Sequence, residues 1–215
     1  RLVAGTKTRS ELEHFVLVLL LAACAPHASL QAETLRLEKS VDAMGSTYSI
    51  AVYGGDRYRM ERAVEAAFNE VQRLDALLSN YQPESEWSRV NRYAARRPVK
   101  VSEELFRLLE ACGEYHRSSD GAFDISVGPL MKLWGFYKGS GRLPHKAEVL
   151  AALRRVGWRH VERDAARRTV RFRRDGVELD PGGIGKGYAV DRMIEVLKTH
   201  GITSALVTAA GSSIY

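Results

Sequence analysis

The feature that most constrains this chain is the run Asp180-Pro181-Gly182-Gly183-Ile184-Gly185-Lys186-Gly187-Tyr188-Ala189-Val190-Asp191. A β-branched stretch (Thr169 to Phe172, then Val177 to Leu179) leads into the first carboxylate, and a helical pattern follows the lysine. Four glycines in six residues let the backbone turn tightly and approach a ligand closely. Free amides at the start of the next helix, together with its dipole, form an anion site. A carboxylate just before such a turn suits a bound cation or a hydroxyl. These features together read as a site for a phosphorylated cofactor with a metal. The run is not a Walker loop, because Gly187 and Tyr188 follow Lys186 where Ser or Thr would hold the metal. Its spacing and context also differ from the Rossmann fingerprint. On these residues alone, a plain glycine turn between strand and helix stays open.

The other end of the chain carries a second signal. Phe15 to Ala23 is purely apolar and too short to span a bilayer as a helix. With Arg1, Lys7 and Arg9 before it, it reads as the h-region of a secretory signal. Leu21-Ala22-Ala23-Cys24 resembles a bacterial lipobox, in which Cys24 is diacylated and becomes the mature N-terminus. Cleavage near Ala23 or Ala25 with Cys24 incidental is the alternative. The expected organisation is a signal peptide over 1–23, a lipidated tether over 24–33 and one domain over 34–215. That places the protein in the bacterial cell envelope, anchored to a membrane and facing the periplasm or exterior.

Composition narrows the partners. Cys112 is the second of two cysteines and sits on an apolar helical face, so a buried thiol is expected and no disulfide framework. Net charge is +6, and nine arginines between Arg154 and Arg174 face only Glu162 and Asp164. No aromatic interleaving or known module accompanies them, which argues against nucleic acid. A solvated basic face near anionic lipid is the reading they support.

Periodicity organises the domain. Leu35 to Asp42 and Thr47 to Val52 alternate as two strands around Met44-Gly45-Ser46. Met60, Val64, Ala67, Val71, Leu74 and Leu78 recur at helical spacing, predicting a long helix over 57–79. Short helical character up to Asn91 precedes a second long helix from an N-cap at Ser102 to about Ser118. A helix over 146–156, a hairpin over 161–172 turning at 164–167, a helix over 187–200 stopped by Gly201, and a strand over 204–209 follow. The segment Asp120 to Phe136 fits no simple period, and Asp124 lies inside its apolar run. A carboxylate in such company is paired, hydrogen-bonded or functional.

In unbroken order, several motifs together resemble the ApbE family of FAD:protein FMN transferases. They are the lipobox, Met44-Gly45-Ser46, Leu77 to Tyr81, Ser88-Arg89-Val90-Asn91, Gly121 to Leu130, Leu133 to Phe136 and Asp180 to Asp191. The resemblance implies an α+β fold, related to the T-fold, with antiparallel sheet packed against long helices. It implies transfer of FMN from FAD to a threonine hydroxyl of an exported flavoprotein with release of AMP. The acceptors it implies are subunits of membrane redox complexes. Alternatives are a FAD pyrophosphatase giving FMN and AMP, or a flavin-binding lipoprotein without turnover.

By the same resemblance, Met44, Tyr81, Ala122, Phe123, Asp124, Asp180 and Lys186 contact FAD, and Gly183 offers Mg²⁺ its backbone carbonyl. Tyr188 and Asp191 are expected to secure the helix, and no catalytic base is assigned. Chains of the family continue well beyond Tyr215, and that part supplies the side-chain Mg²⁺ ligands. The expectation is therefore an N-terminal part of the domain, incomplete at its C-terminus and inactive alone.

Overall fold

A computed structural model describes residues 34–215, apart from 138–140 and 212. The signal, lipobox and tether expectations, Cys24 included, lie outside the described residues.

Strands β1 (Leu35–Ala43) and β2 (Ser46–Gly54) pair antiparallel in full register, Leu35 opposite Gly54 and Ala43 opposite Ser46. The turn between them places Met44 and Gly45 at φ +53° and +68°. Helix α1 (Arg57–Leu78) follows, and the Asp56 side chain accepts the Arg59 amide at its start. Such a cap contributes about 1 kcal/mol. Each buried Val64, Val71 or Leu74 contributes roughly 1.5–3 kcal/mol, so packing rather than capping fixes this helix.

Next come α2 (Glu86–Tyr93), β3 (Val99–Lys100) and α3 (Glu103–Ser118). Ser102 caps α3 as expected, accepting from the Leu105 amide at 3.2 Å. Cys112 is buried on α3, and burial pushes its thiol up to about 12. Two short helices follow, α4 (Gly128–Leu133) and α5 (Lys146–Leu153). The first had no periodic signal. The second stops earlier than expected. A 3-10 turn at Trp158–His160 leads into the hairpin β4 (Val161–Asp164) and β5 (Thr169–Phe172).

Helix α6 (Gly185–Thr199) begins two residues before its expected start, and Gly201 at φ +75° ends it. Strands β6 (Ala205–Ala209) and β7 (Ser213–Ile214) close the described chain. The strands form two antiparallel sheets, in the orders β1-β2-β6-β7 and β3-β5-β4. The fold is thus α+β with antiparallel sheet and long helices.

Each sheet has its own core. Ile50, Val52 and Val207 gather with Val64 and Val71 of α1 and Met193 and Leu197 of α6. Trp87, Leu105, Leu109, Val170 and Phe172 form the other cluster with Val177 and Leu179. Met44, Leu77 and Tyr188 pack against both clusters and mark the seam.

One expectation fails at this seam. Val177 to Leu179 is not a strand; it makes a single parallel bridge, Glu178 with Val127. Side chains replace the missing strand partner. The Leu179 amide donates to Asn91 Oδ1 (2.8 Å), and its carbonyl accepts from Asn91 Nδ2 (2.9 Å) and Trp87 Nε1 (3.0 Å). A buried backbone needs such partners whatever supplies them.

Candidate functional site

The end of α1 is turned outward by serines. The Ser79 carbonyl accepts from Ser85 Oγ (2.6 Å) and Ser88 Oγ (2.9 Å), and Ser79 Oγ accepts the amides of Tyr81 and Gln82 (both 3.1 Å). Asn80 and Tyr81 are thereby held at the lip of a cleft. The Tyr81 ring is 71% exposed and meets Tyr137 edge-on, with centroids 6.1 Å apart. An exposed ring so placed offers a ligand a flat face.

Asp180 sits beside Asn80, buried, directly after the clamped Leu179. Its Oδ1 accepts the Gly182 amide at 2.7 Å. Its Oδ2 accepts from the Tyr137 hydroxyl and from Asn80 Nδ2 at 3.3 Å. Burial, then the Asp180 carboxylate, push the Tyr137 phenol far above its ordinary value, so it stays a neutral donor. Gly182 is required here for space: a Cβ on it would lie 2.6 Å from Asp180 Oδ1.

The Ile184 and Gly185 amides fold back to the Pro181 carbonyl (3.0 and 2.7 Å), which starts α6. Lys186 and Gly187 fall in its first turn, where amides have no acceptor within the helix. Lys186 forms no ion pair with any described residue, so its ammonium is available. Met44 closes the floor. Its sulfur accepts from the Tyr48 hydroxyl at 3.3 Å, and its Cε lies 3.0 Å from where a Cβ on Gly185 would be.

The result is one cleft of about 800 Å³ lined by Met44, Asn80, Tyr81, Tyr137, Asp180 and Lys186, among others. That volume lies within the range of small-molecule sites. Four of the residues carried over from the motifs, Met44, Tyr81, Asp180 and Lys186, therefore converge. A ligand with a phosphate and an aromatic ring fits this donor set: the Lys186 ammonium and helix-start amide for phosphate, the Tyr81 face for a ring. Asn80 Oδ1 is in addition a buried acceptor without a donor in the cleft wall.

The remaining residues lie elsewhere. Ala122 is exposed, and the Phe123 ring packs edge-on to Tyr115 with centroids 5.9 Å apart. A Cβ on Gly183 would lie 3.3 Å from that Phe123 ring. Gly183 lines a separate recess of about 580 Å³ with Tyr115, Tyr188 and Asp191. Asp124 is committed internally. Its Oδ1 accepts the Ser126 amide (2.8 Å), its Oδ2 the Trp158 amide (3.0 Å), and His116 Nδ1 stands 3.6 Å away.

Tyr188 is structural as expected, its hydroxyl donating to Glu104 at 2.9 Å. Glu104 also pairs with Arg73, which holds its carboxyl below the ordinary range. Asp191 differs from expectation: it is exposed and bonds to no described residue. Among the described residues no group of three or more acidic, His or Cys side chains could hold a metal. With one Gly183 carbonyl, these residues do not complete a Mg²⁺ shell, which needs near-octahedral oxygens.

Sequence reasoning passed over Tyr137 and the Asn80 carboxamide. Both were in view, Asn80 inside Leu77 to Tyr81 and Tyr137 just after Leu133 to Phe136. Nothing local linked either to Asp180, 100 and 43 residues away.

The chain belongs to the ApbE family, whose model matches residues 44–215. It is 32% identical to a FAD:protein FMN transferase of Klebsiella pneumoniae over 79% of this chain and 52% of that one. A FAD:protein FMN transferase of Chlamydia pneumoniae is 28% identical over 86% and 57%. Among solved structures, the ApbE protein of Thermotoga maritima superposes with a TM-score of 0.75 at 30% identity, covering 81% of this chain and 57% of that one. The flavin transferase ApbE of Vibrio cholerae superposes with a TM-score of 0.73 at 25% identity, over 83% and 58%. The chain spans about half the length of the curated relatives it matches.

Proposed function

We propose that the protein binds FAD in the Met44–Lys186 cleft and serves transfer of its FMN half to a threonine hydroxyl of an acceptor protein, releasing AMP. The observation that carries this reading is the convergence of Lys186, at the start of α6, with the exposed Tyr81 ring and Asp180 in one cleft. FAD supplies a pyrophosphate whose FMN-side phosphorus is open to attack: the acceptor oxygen bonds to phosphorus as the bond to AMP breaks. The chain's own residues position and neutralise. Lys186, through its ammonium and its unpaired helix-start amide, holds phosphate oxygens, and Tyr81 presents its face to a ring. Asp180, fixed by Tyr137, Asn80 and the Gly182 amide, accepts a hydroxyl or N–H of the ligand. Positioning therefore dominates over covalent chemistry by the protein.

The resemblance to the family extends the proposal to Mg²⁺ dependence, with the metal's side-chain ligands lying outside the described residues. The acceptor is proposed to be an exported flavoprotein subunit of a membrane redox complex. The protein meets it in the bacterial envelope, anchored through Cys24; the apolar run Phe15 to Ala23 before that cysteine supports this.

The test is incubation of a form of the protein spanning the full length of its relatives with FAD, Mg²⁺ and a candidate acceptor, following AMP release and covalent flavin together; residues 34–215 alone are expected to release no AMP. Equal yields of AMP and flavinylated acceptor are expected. AMP with free FMN would instead assign the cleft to pyrophosphate hydrolysis, and no FAD binding at all would overturn the site.

A further inference from the structure

The arginines singled out in the sequence are not used by the cleft. Four of them, Arg154, Arg155, Arg173 and Arg174, gather at the end of α5, a helix of sequence KAEVLAAL in which only Ala152 is buried. Leu150 and Leu153, three residues apart and so on one side of α5, are 51% and 45% exposed. Arg154 and Arg155 follow directly. Arg174 reaches across to donate to the Arg154 carbonyl, and the Arg155 side chain lies against Gly176, where a Cβ would come within 2.7 Å of its Cδ. The Arg173 amide donates to the His160 carbonyl at 2.9 Å, which brings the 3-10 turn and Arg159 to the same region. The His160 imidazole is pushed down by burial and then by the charges of Arg159, Arg174 and Arg173, as a dense positive field requires.

Few acids oppose this field. Glu162 is paired with Arg173 at 2.9 Å, Glu148 with Arg142 and Glu178 with Lys132, which leaves Asp175 as the exposed acid of the patch. The exposed residues over 146–155 and 171–176 include no aromatic ring. A recess of about 410 Å³ lined by Ala151, Ala152, Arg155 and Gly176 lies on this face, but no exposed aromatic ring accompanies it to anchor a protein partner. Exposed aliphatic side chains beside a cluster of arginines with few opposing acids are complementary to the anionic headgroup layer of a bilayer.

We propose that α5 and the arginines beside it form a docking face for the anionic headgroup layer of a phospholipid bilayer. Leu150 and Leu153 enter the boundary between headgroups and acyl chains, and Arg154, Arg155, Arg159 and Arg174 meet phosphate oxygens. Guanidinium groups suit that partner because they bind phosphate in a forked geometry.

The test is partition of the full-length chain carrying Cys24→Ser, which removes any acyl contribution. It is measured on phosphatidylcholine vesicles with and without about one-third phosphatidylglycerol. The readout is the ratio of the anionic to the neutral partition coefficient, compared between variants that share the same N-terminal segment, so that the contribution of Arg1, Lys7, Arg9 and the Phe15–Ala23 run cancels. That ratio is expected to fall with added salt and to drop roughly a hundredfold in Arg154→Glu/Arg155→Glu/Arg174→Glu, at about fivefold per basic side chain. Leu150→Ser/Leu153→Ser should lower binding to anionic vesicles by about tenfold with charge unchanged. Should the charge reversals fail to fold, Arg→Gln at the same positions serves. A ratio near unity, or one indifferent to these substitutions, overturns the proposal. So does tighter binding of poly-glutamate than of anionic vesicles, which would assign the face to an acidic protein.

Discussion

Asp180 and Asp124 begin alike and end in opposite roles. Each follows an apolar residue, and each accepts the amide two positions on, Gly182 at 2.7 Å and Ser126 at 2.8 Å. The second oxygen separates them. In Asp180 it takes side-chain donors, Tyr137 and Asn80, on the wall of the cleft. In Asp124 it takes the Trp158 amide, while the neighbouring Ser126 Oγ takes the Gly157 amide at 2.7 Å. The residue two on follows the same logic: space forbids a side chain at Gly182, whereas at 126 a hydroxyl is used. A carboxylate tied to backbone holds the fold, and one tied to side chains around a cavity can be rearranged by a ligand.

Asp124→Ala should give the largest effect, and it should appear in stability. Removing the acceptor strands the Trp158 amide and unpicks the turn, a loss of about 3 kcal/mol. Urea unfolding measures it; a loss under about 1 kcal/mol, with FAD affinity falling instead, would reverse the roles assigned to the two aspartates.

Asp180→Ala is expected to weaken FAD binding by about 2 kcal/mol, roughly thirtyfold, with a smaller change in unfolding free energy. Fluorescence titration of FAD beside a denaturation curve separates the two quantities. If stability falls further than affinity, Asp180 is as structural as Asp124.

Lys186→Ala removes a cation from the cleft while leaving both aspartates intact. The expected cost is about 1–2 kcal/mol in FAD affinity, since a charge-assisted bond to phosphate is lost. AMP, which keeps a phosphate but lacks the flavin, should lose a similar factor in a competition assay. Unchanged affinity for both ligands removes Lys186 from the site.

The smallest effect sharpens the comparison most. Gly182→Ala keeps the Asp180 carboxylate but pushes it from its turn, because the new Cβ would sit 2.6 Å from Oδ1. FAD affinity should fall by about 1 kcal/mol. Ser126→Ala at the corresponding place should leave affinity unchanged and lower stability by a similar amount, through the lost bond to Gly157.

Much of the fold was legible in the sequence. The helical spacing of Met60 to Leu78 and the Ser102 cap gave α1 and α3 to within a residue. The alternation around Met44-Gly45 gave the β1–β2 hairpin, and Gly201 gave the end of α6. In the cleft, Met44, Tyr81, Asp180 and Lys186 were named from motifs and meet in space. The short helix α4 had no periodic signal because six residues are under two turns. Val177 to Leu179 looked like a strand because β-branched composition reports burial, and here burial came with Asn91 and Trp87 in place of a strand partner.

Local geometry follows from residues a few positions apart: which faces are apolar, where the chain turns, and that a glycine run opens a helix beside a carboxylate. The role of each polar group follows from long-range packing. Tyr137 reaches Asp180 across 43 residues, Trp158 reaches Asp124 across 34, and Asn91 reaches Leu179 across 88. A carboxylate's role is set by whichever donors the packing brings to its second oxygen, and no periodicity in the chain encodes that meeting.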